Sequence, residues 1–288
     1  MDMSKLTPTA TLNGVIAIAS GGGGGEDTLN TLFNTPAGQT PTPFTMSDEN
    51  ADHTCYGFLN GLAVTLGAGV KLFGGEAFKS DKSVKSIIGP DIETIGDNCF
   101  NGSVVQSVSF PKCVSIGYRA FASCTRLSSV NFPLCQTVGV EAFDSCRSIT
   151  TIDLPACTTI GTSAFGSITN YTSINLPVCT TIGESALRDF KGQILRLPAV
   201  QSMGREQFRN CENMTDLYLG YDGVVTVTRA MQWDSWQMFP EAWREPMTIN
   251  VHVPAGQLAS YQADATWTEI VTASAQDNCT VTFVGDYA

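Results

Sequence analysis

The chain has 288 residues, with 16 Lys plus Arg against 27 Asp plus Glu, a net charge of -11 and 43 % apolar residues. That apolar share can fill a core, which argues against a disordered acidic chain. The missing basic footprint argues against nucleic acid as a partner, and no apolar run approaches the ~20 residues that span a bilayer.

Residues 1–70 open the chain with an unusual composition. The apolar stretch Val15 to Ala19, behind a lone Lys5, is short of the about 7–15 residues of a signal-peptide core. Residues 20–48 mix the run Gly21 to Gly25 with Thr and Pro, as in Thr35 to Pro43. This reads as an arm or linker. No Gly-Lys-Ser/Thr follows the glycines, and Glu26 and Asp27 would repel phosphate, so they form no phosphate loop. Residues 1–70 are therefore expected to anchor the chain to other protein subunits of a larger assembly. His53 and Cys55 are too close along one segment to meet as a nucleophile pair. The chain holds only two histidines and has no Gly-x-Ser-x-Gly elbow, so no catalytic residue, metal ligand or cofactor is expected.

Residues 71–220 repeat. An apolar-Gly step recurs as Phe73-Gly74, Ile95-Gly96, Ile116-Gly117, Val138-Gly139, Ile160-Gly161, Ile182-Gly183 and Met203-Gly204, spaced by 21 or 22 residues. Four residues on lie Phe78, Phe100, Phe121, Phe143, Phe165, Leu187 and Phe208. Pro90, Pro111, Pro133, Pro155, Pro177 and Pro198 keep the same rhythm. A unit this short cannot bury an apolar face alone, but stacked units share a continuous core. The Val130-Asn131-Phe132 alternation reads as a strand that pairs in parallel with its equivalents in the neighbouring coils, and the following Pro ends it. The Gly is expected to supply a positive φ at a tight turn, and the Ala-Phe step to form a short helical or 3₁₀ turn.

The repeat phase also sorts cysteines and exposed residues. Cys113, Cys135, Cys157 and Cys179 share one column, and Cys124, Cys146 and Cys211 another. Both read as buried free thiols, because side chains in register point alike, which is poor disulfide geometry. The outward columns are mostly hydroxyls and amides. Binding hot spots favour Tyr and Arg, so a ligand bound by this face is expected near Ile194, Arg196, Asp216 and Tyr218.

Residues 221–288 hold all four tryptophans, Trp233, Trp236, Trp243 and Trp267. They read as a C-terminal cap that covers the last coil. His252, between Val251 and Val253, is expected to point outward from a strand.

The repeated Ile-Gly-x-x-Ala-Phe-x-x-Cys-x-x-Leu-x-x-Val-x-Phe-Pro pattern resembles the BspA-type, or Treponema-type, leucine-rich repeat. Val253-Pro254-Ala255-Gly256 with Leu258, Tyr261 and Trp267 is similar to the segment that closes such arrays. The resemblance implies an α/β solenoid, a right-handed coil of about seven 22-residue units with a parallel strand ladder. It also implies adhesion or recognition without catalysis, and a host surface protein or glycan as the partner of the repeats. No recognised export address or wall-sorting motif accompanies the repeats. That points to a phage virion component at the particle surface, a capsid decoration or tail-associated protein. The alternative is a bacterial cell-surface or secreted adhesin.

Overall fold

The computed structural model describes the backbone of strands Val15–Ile18 and Leu62–Leu66 and residues 71–82, 84–228, 239, 246–276 and 278–287. The rest of the arm, Cys55, Trp233, Trp236 and Trp243 lie outside the described residues.

The repeats wind into a solenoid of about seven coils carrying two parallel ladders. The first ladder takes the strand before each proline: Val84–Ile88, Ser107–Ser109, Ser129–Asn131, Thr151–Asp153, Ser173–Asn175, Ile194–Leu197 and Asp216–Leu219. Its inward residues stay in register, Val108 beside Val130 and Ile152 beside Ile174. Strand Leu62–Leu66 pairs with Val84–Ile88 and strand Val15–Ile18 with Leu62–Leu66, so this ladder reaches back into residues 1–70. The second ladder is a continuous eight-stranded sheet from Leu72–Phe73 to Thr226–Thr228, built around the apolar residue before each Gly.

The proline starts a turn between the two ladders. The amide of Cys135 donates to the Phe132 carbonyl at 3.2 Å, and that of Cys113 to Phe110 at 3.0 Å. Pro thus sits second in a four-residue turn, where its fixed φ is favourable. The same turn aims the Cys column inward.

The glycine column has a different cause from the one expected. Among the described glycines only Gly102 has a positive φ. A Cβ on Gly139 would instead lie 2.6 Å from the Gly117 carbonyl carbon, and one on Gly161 2.6 Å from the Val140 nitrogen. Glycine is needed because successive backbones touch there.

The Ala-Phe step is a turn, not a helix. The amides of Arg119, Phe121 and Ser123 donate to Val140, Ala142 and Asp144 in the next coil, at 2.9, 2.7 and 2.7 Å. Those of Ala120, Ala122 and Cys124 donate within the turn, to Gly117, Arg119 and Phe121. Arg119 and Ser123 are left-handed, with φ of 52° and 60°. That alternation sends every second N–H along the axis, so the step serves as a third inter-coil seam.

The coil spacing stacks the phenylalanines. Phe78, Phe100, Phe121 and Phe143 lie 4.9, 4.9 and 5.1 Å apart with nearly parallel rings. Phe239 lies 5.5 Å from Phe208 and continues the column into the C-terminal segment.

Strand Met247–Pro254 joins the first ladder beside Asp216–Leu219. The chain then crosses through a 3₁₀ turn, Ala255–Gln257, and helices Leu258–Ala263 and Ala265–Gln276. It returns as strand Cys279–Tyr287, parallel to Met247–Pro254. The Asp264 carboxylate accepts from the Trp267 amide at 2.9 Å and so caps the second helix. Tyr261 and Trp267 are buried, and both bond the backbone of Val225.

Candidate functional site

Parallel register turns sequence phase into contact at the C-terminal end of the first ladder. Ile194 is paired with Asp216 and Arg196 with Tyr218. Asp216 is paired in turn with Asn250, and Tyr218 with His252. Arg196, Tyr218 and His252 therefore form one outward column. The Arg196 guanidinium lies 4.5 Å from the centre of the Tyr218 ring, close enough for a cation–π contact. Tyr218 stacks on His252 at 4.1 Å with an interplanar angle of 7°.

His252 is held on both nitrogens. Nε2 is 2.9 Å from Asp216 Oδ1, and Nδ1 is 2.7 Å from Asp286 Oδ1. Asp216 also accepts from Thr215 Oγ1 at 2.7 Å and from Asn250 Nδ2 at 3.2 Å. Desolvation pulls the imidazole pKa down, but the hydrogen bonds and charges of Asp216 and Asp286 outweigh it and leave a net rise. Hydrogen bonds from His252 and Thr215 hold the Asp216 carboxyl below its ordinary value. His252 occupies the outward column, as its alternation with Val251 and Val253 predicts, yet it is only 8 % exposed. Its ring is covered by Tyr218 and clamped by two acids.

The four residues expected from sequence thus meet on one patch, with Ile194 46 % exposed beside the others. His252, Asp286 and Tyr287 were not expected there. The Val251-His252-Val253 alternation did carry a signal for His252. Tyr287 lies 5.4 Å from Tyr218.

Next to this patch the first ladder is interrupted, because strands Ser173–Asn175 and Ile194–Leu197 belong to separate sheets. A recess of about 350 Å³ opens between them, lined among others by Ser173, Asn175, Ile194, Arg196 and Tyr287.

The cysteines form no part of the site. All nine described ones are free and buried, which agrees with the reading of both columns. Burial pushes the Cys113 thiol up to about 12. No group of three His, Cys, Asp or Glu among the described residues could hold a metal ion.

A family model described as a BspA type leucine rich repeat region, in six copies, matches residues 52–156 and 136–228. No curated protein matches the chain. Among solved structures, a leucine-rich repeat protein from Bacteroides ovatus is 19 % identical, with a TM-score of 0.47, covering 68 % of this chain and 63 % of its own. A leucine rich cell surface protein from Faecalibacterium prausnitzii is 16 % identical, with a TM-score of 0.47 and coverages of 76 % and 62 %. A leucine rich repeat protein of T. pallidum is 20 % identical, with a TM-score of 0.44 and coverages of 79 % and 87 %. The chain spans less than two thirds of the length of the first two.

Proposed function

The chain belongs to the BspA-type leucine-rich-repeat family, and we propose from this that it works by contact and not by catalysis, as an adhesion or display protein. The observation that carries this reading is the distribution of side chains on the first ladder. Most of that face offers hydroxyls and amides, such as Ser107, Ser129, Thr151 and Ser173. One end concentrates Ile194, Arg196, Asp216 and Tyr218 in adjoining register. Tyr and Arg are the residues that dominate binding energy where partners meet. A polar ladder that ends in such a patch suits recognition of a host surface protein or glycan.

In its finer form the reading places the protein on a phage particle, with residues 1–70 anchored among other subunits and the repeats projecting. The Gly, Thr and Pro content of that segment supports an anchoring arm. Gold-labelled antibody against the repeats tests the location in electron micrographs of a producing culture. Label on free particles is the expected result. Label confined to the bacterial envelope would make the protein a surface adhesin instead. Binding of the purified full chain to host cells tests the contact function itself, and loss of binding in Tyr218→Ala would place the contact on this patch.

A further inference from the structure

We propose that the recess between strands Ser173–Asn175 and Ile194–Leu197 binds an acidic sugar residue through a bidentate contact from Arg196 to its carboxylate. The proposal rests on the contact reading above and deepens it.

Three observations converge on this ligand chemistry. First, Arg196 is an exposed cation on the wall of the recess, and it pairs with no carboxylate among the described residues. Three acids of this face are engaged elsewhere: Asp216 and Asp286 hold His252, and Asp153 accepts from the Asn175 amide at 2.8 Å. One face of the guanidinium rests on Tyr218, which fixes the fork for a planar, bidentate acceptor.

Second, the recess is also lined by an aromatic ring held in place. Tyr287 packs over Gly220, where a Cβ would collide with the ring, and beside Tyr218. A fixed aromatic face next to polar groups is a seat for the C–H face of a pyranose. Third, Ser173 and Asn175 border the same space and offer a hydroxyl and an amide carbonyl to sugar hydroxyls. A volume of about 350 Å³ lies at the small end of ligand pockets, roughly 300–1,000 Å³. It fits one or two sugar rings, not a folded epitope.

The test is calorimetric titration of the full chain with 3′-sialyllactose against lactose, and with a glucuronic acid–N-acetylglucosamine tetrasaccharide against the N-acetylglucosamine tetrasaccharide. At least one acidic member of the two pairs is expected to bind about tenfold or more tightly than its neutral partner, and which pair responds separates sialic from uronic acids. Arg196→Ala should abolish that preference, and Arg196→Lys should retain part of it, since a lysine keeps the charge but loses the fork. Tyr287→Ala should weaken both members of the responding pair. Equal affinity for acidic and neutral sugars, no binding of either acid, or an unchanged Arg196→Ala would overturn the proposal. So would an acidic peptide that binds the recess more tightly than either sugar. Circular dichroism confirms that each variant remains folded. If the chain adheres to cells yet binds no acidic sugar, this proposal fails and the contact function stands; if it does neither, both fail.

Discussion

The indole Nε1–H of Trp267 donates to the carbonyl of Val225 at 2.9 Å. The Tyr261 hydroxyl accepts from the amide of that same residue at 3.0 Å. Val225 leads into Thr226–Thr228, the last strand of the second ladder, and is itself buried. Among the described residues no further coil takes its backbone groups, and two side chains of the C-terminal segment take them instead. Removing either partner strands a buried polar group. Tyr261→Phe should cost about 1–3 kcal/mol, and Trp267→Ala about 3–5 kcal/mol, because it also opens a cavity. Urea unfolding measures both. Coils couple to their nearest neighbours, so amide exchange should rise first in Ser202–Gly204 and Thr226–Thr228. Uniform loss of protection along the solenoid would count against a local cap.

The glycine column makes a second, sharper demand. A methyl group on Gly139 must push apart two coils whose backbones already touch at the Gly117 carbonyl. The solenoid has no side chain there that could swing aside. Gly139→Ala should therefore destabilise by about 3 kcal/mol, the upper end of ordinary overpacking. Gly256, with open space around its Cβ position, is the control, and Gly256→Ala should be nearly neutral. Thermal unfolding of the two variants side by side decides the point.

The repeats were legible because each column of the coil repeats one residue type in phase. That phase gives the register, and the register brings Arg196 to Tyr218. The reason for the glycines was not legible, because a close backbone approach and a positive φ leave the same residue in the sequence. The Ala-Phe step was misjudged for a related reason: nothing in Arg119 or Ser123 announces a left-handed backbone. At the far end the phase itself is lost. Asp216 and His252 are 36 residues apart, so no counting by 22 predicts that they touch. Asp286 and Tyr287 arrive only after a helical crossover.

The left-handed columns are a reservoir of removable strain. Ser123 holds φ at 60°, while Gly102 fills the same column one coil earlier at 68°. A non-glycine residue in this region costs roughly 1–2 kcal/mol, and glycine gives back about 0.5–1 kcal/mol through the unfolded chain. Ser123 is exposed and its side chain contributes little packing. Ser123→Gly should thus stabilise by about 0.5–1 kcal/mol, and Gly102→Ala should destabilise by a similar amount. Chemical unfolding midpoints at constant m-value would show the opposed shifts. Shifts of the same sign would mean that φ is not what limits these positions.

The histidine clamp gives the fold a pH dependence whose sign follows from its two partners. His252 binds its proton more tightly folded than unfolded, because Asp216 and Asp286 raise it above the ordinary 6.5 despite burial. Its stabilisation is therefore complete below about pH 6.5 and is lost as pH rises through the folded value. Asp216 works the other way. Its carboxyl is held below the ordinary 3.8, so its contribution is present above that value and is lost as pH falls through the folded one. Tyr218 stacks on the ring, with Arg196 and Tyr287 packed against Tyr218 in turn, and among the described residues only Asp216 and Asp286 contact the ring nitrogens. A neutral imidazole has one N–H, so above the folded value it can donate to one carboxylate only, and the other faces a lone pair. Asp286, on the last strand and more exposed than Asp216, is the partner expected to let go. Urea midpoints should fall as pH rises from about 6.5 through the folded value, with amide exchange rising first near Asp286 and Tyr287. His252→Gln keeps a polar planar side chain without the titration, and its midpoint should be lower at pH 6 and nearly flat across the same window. A variant that kept the parent's slope would assign the dependence to other groups.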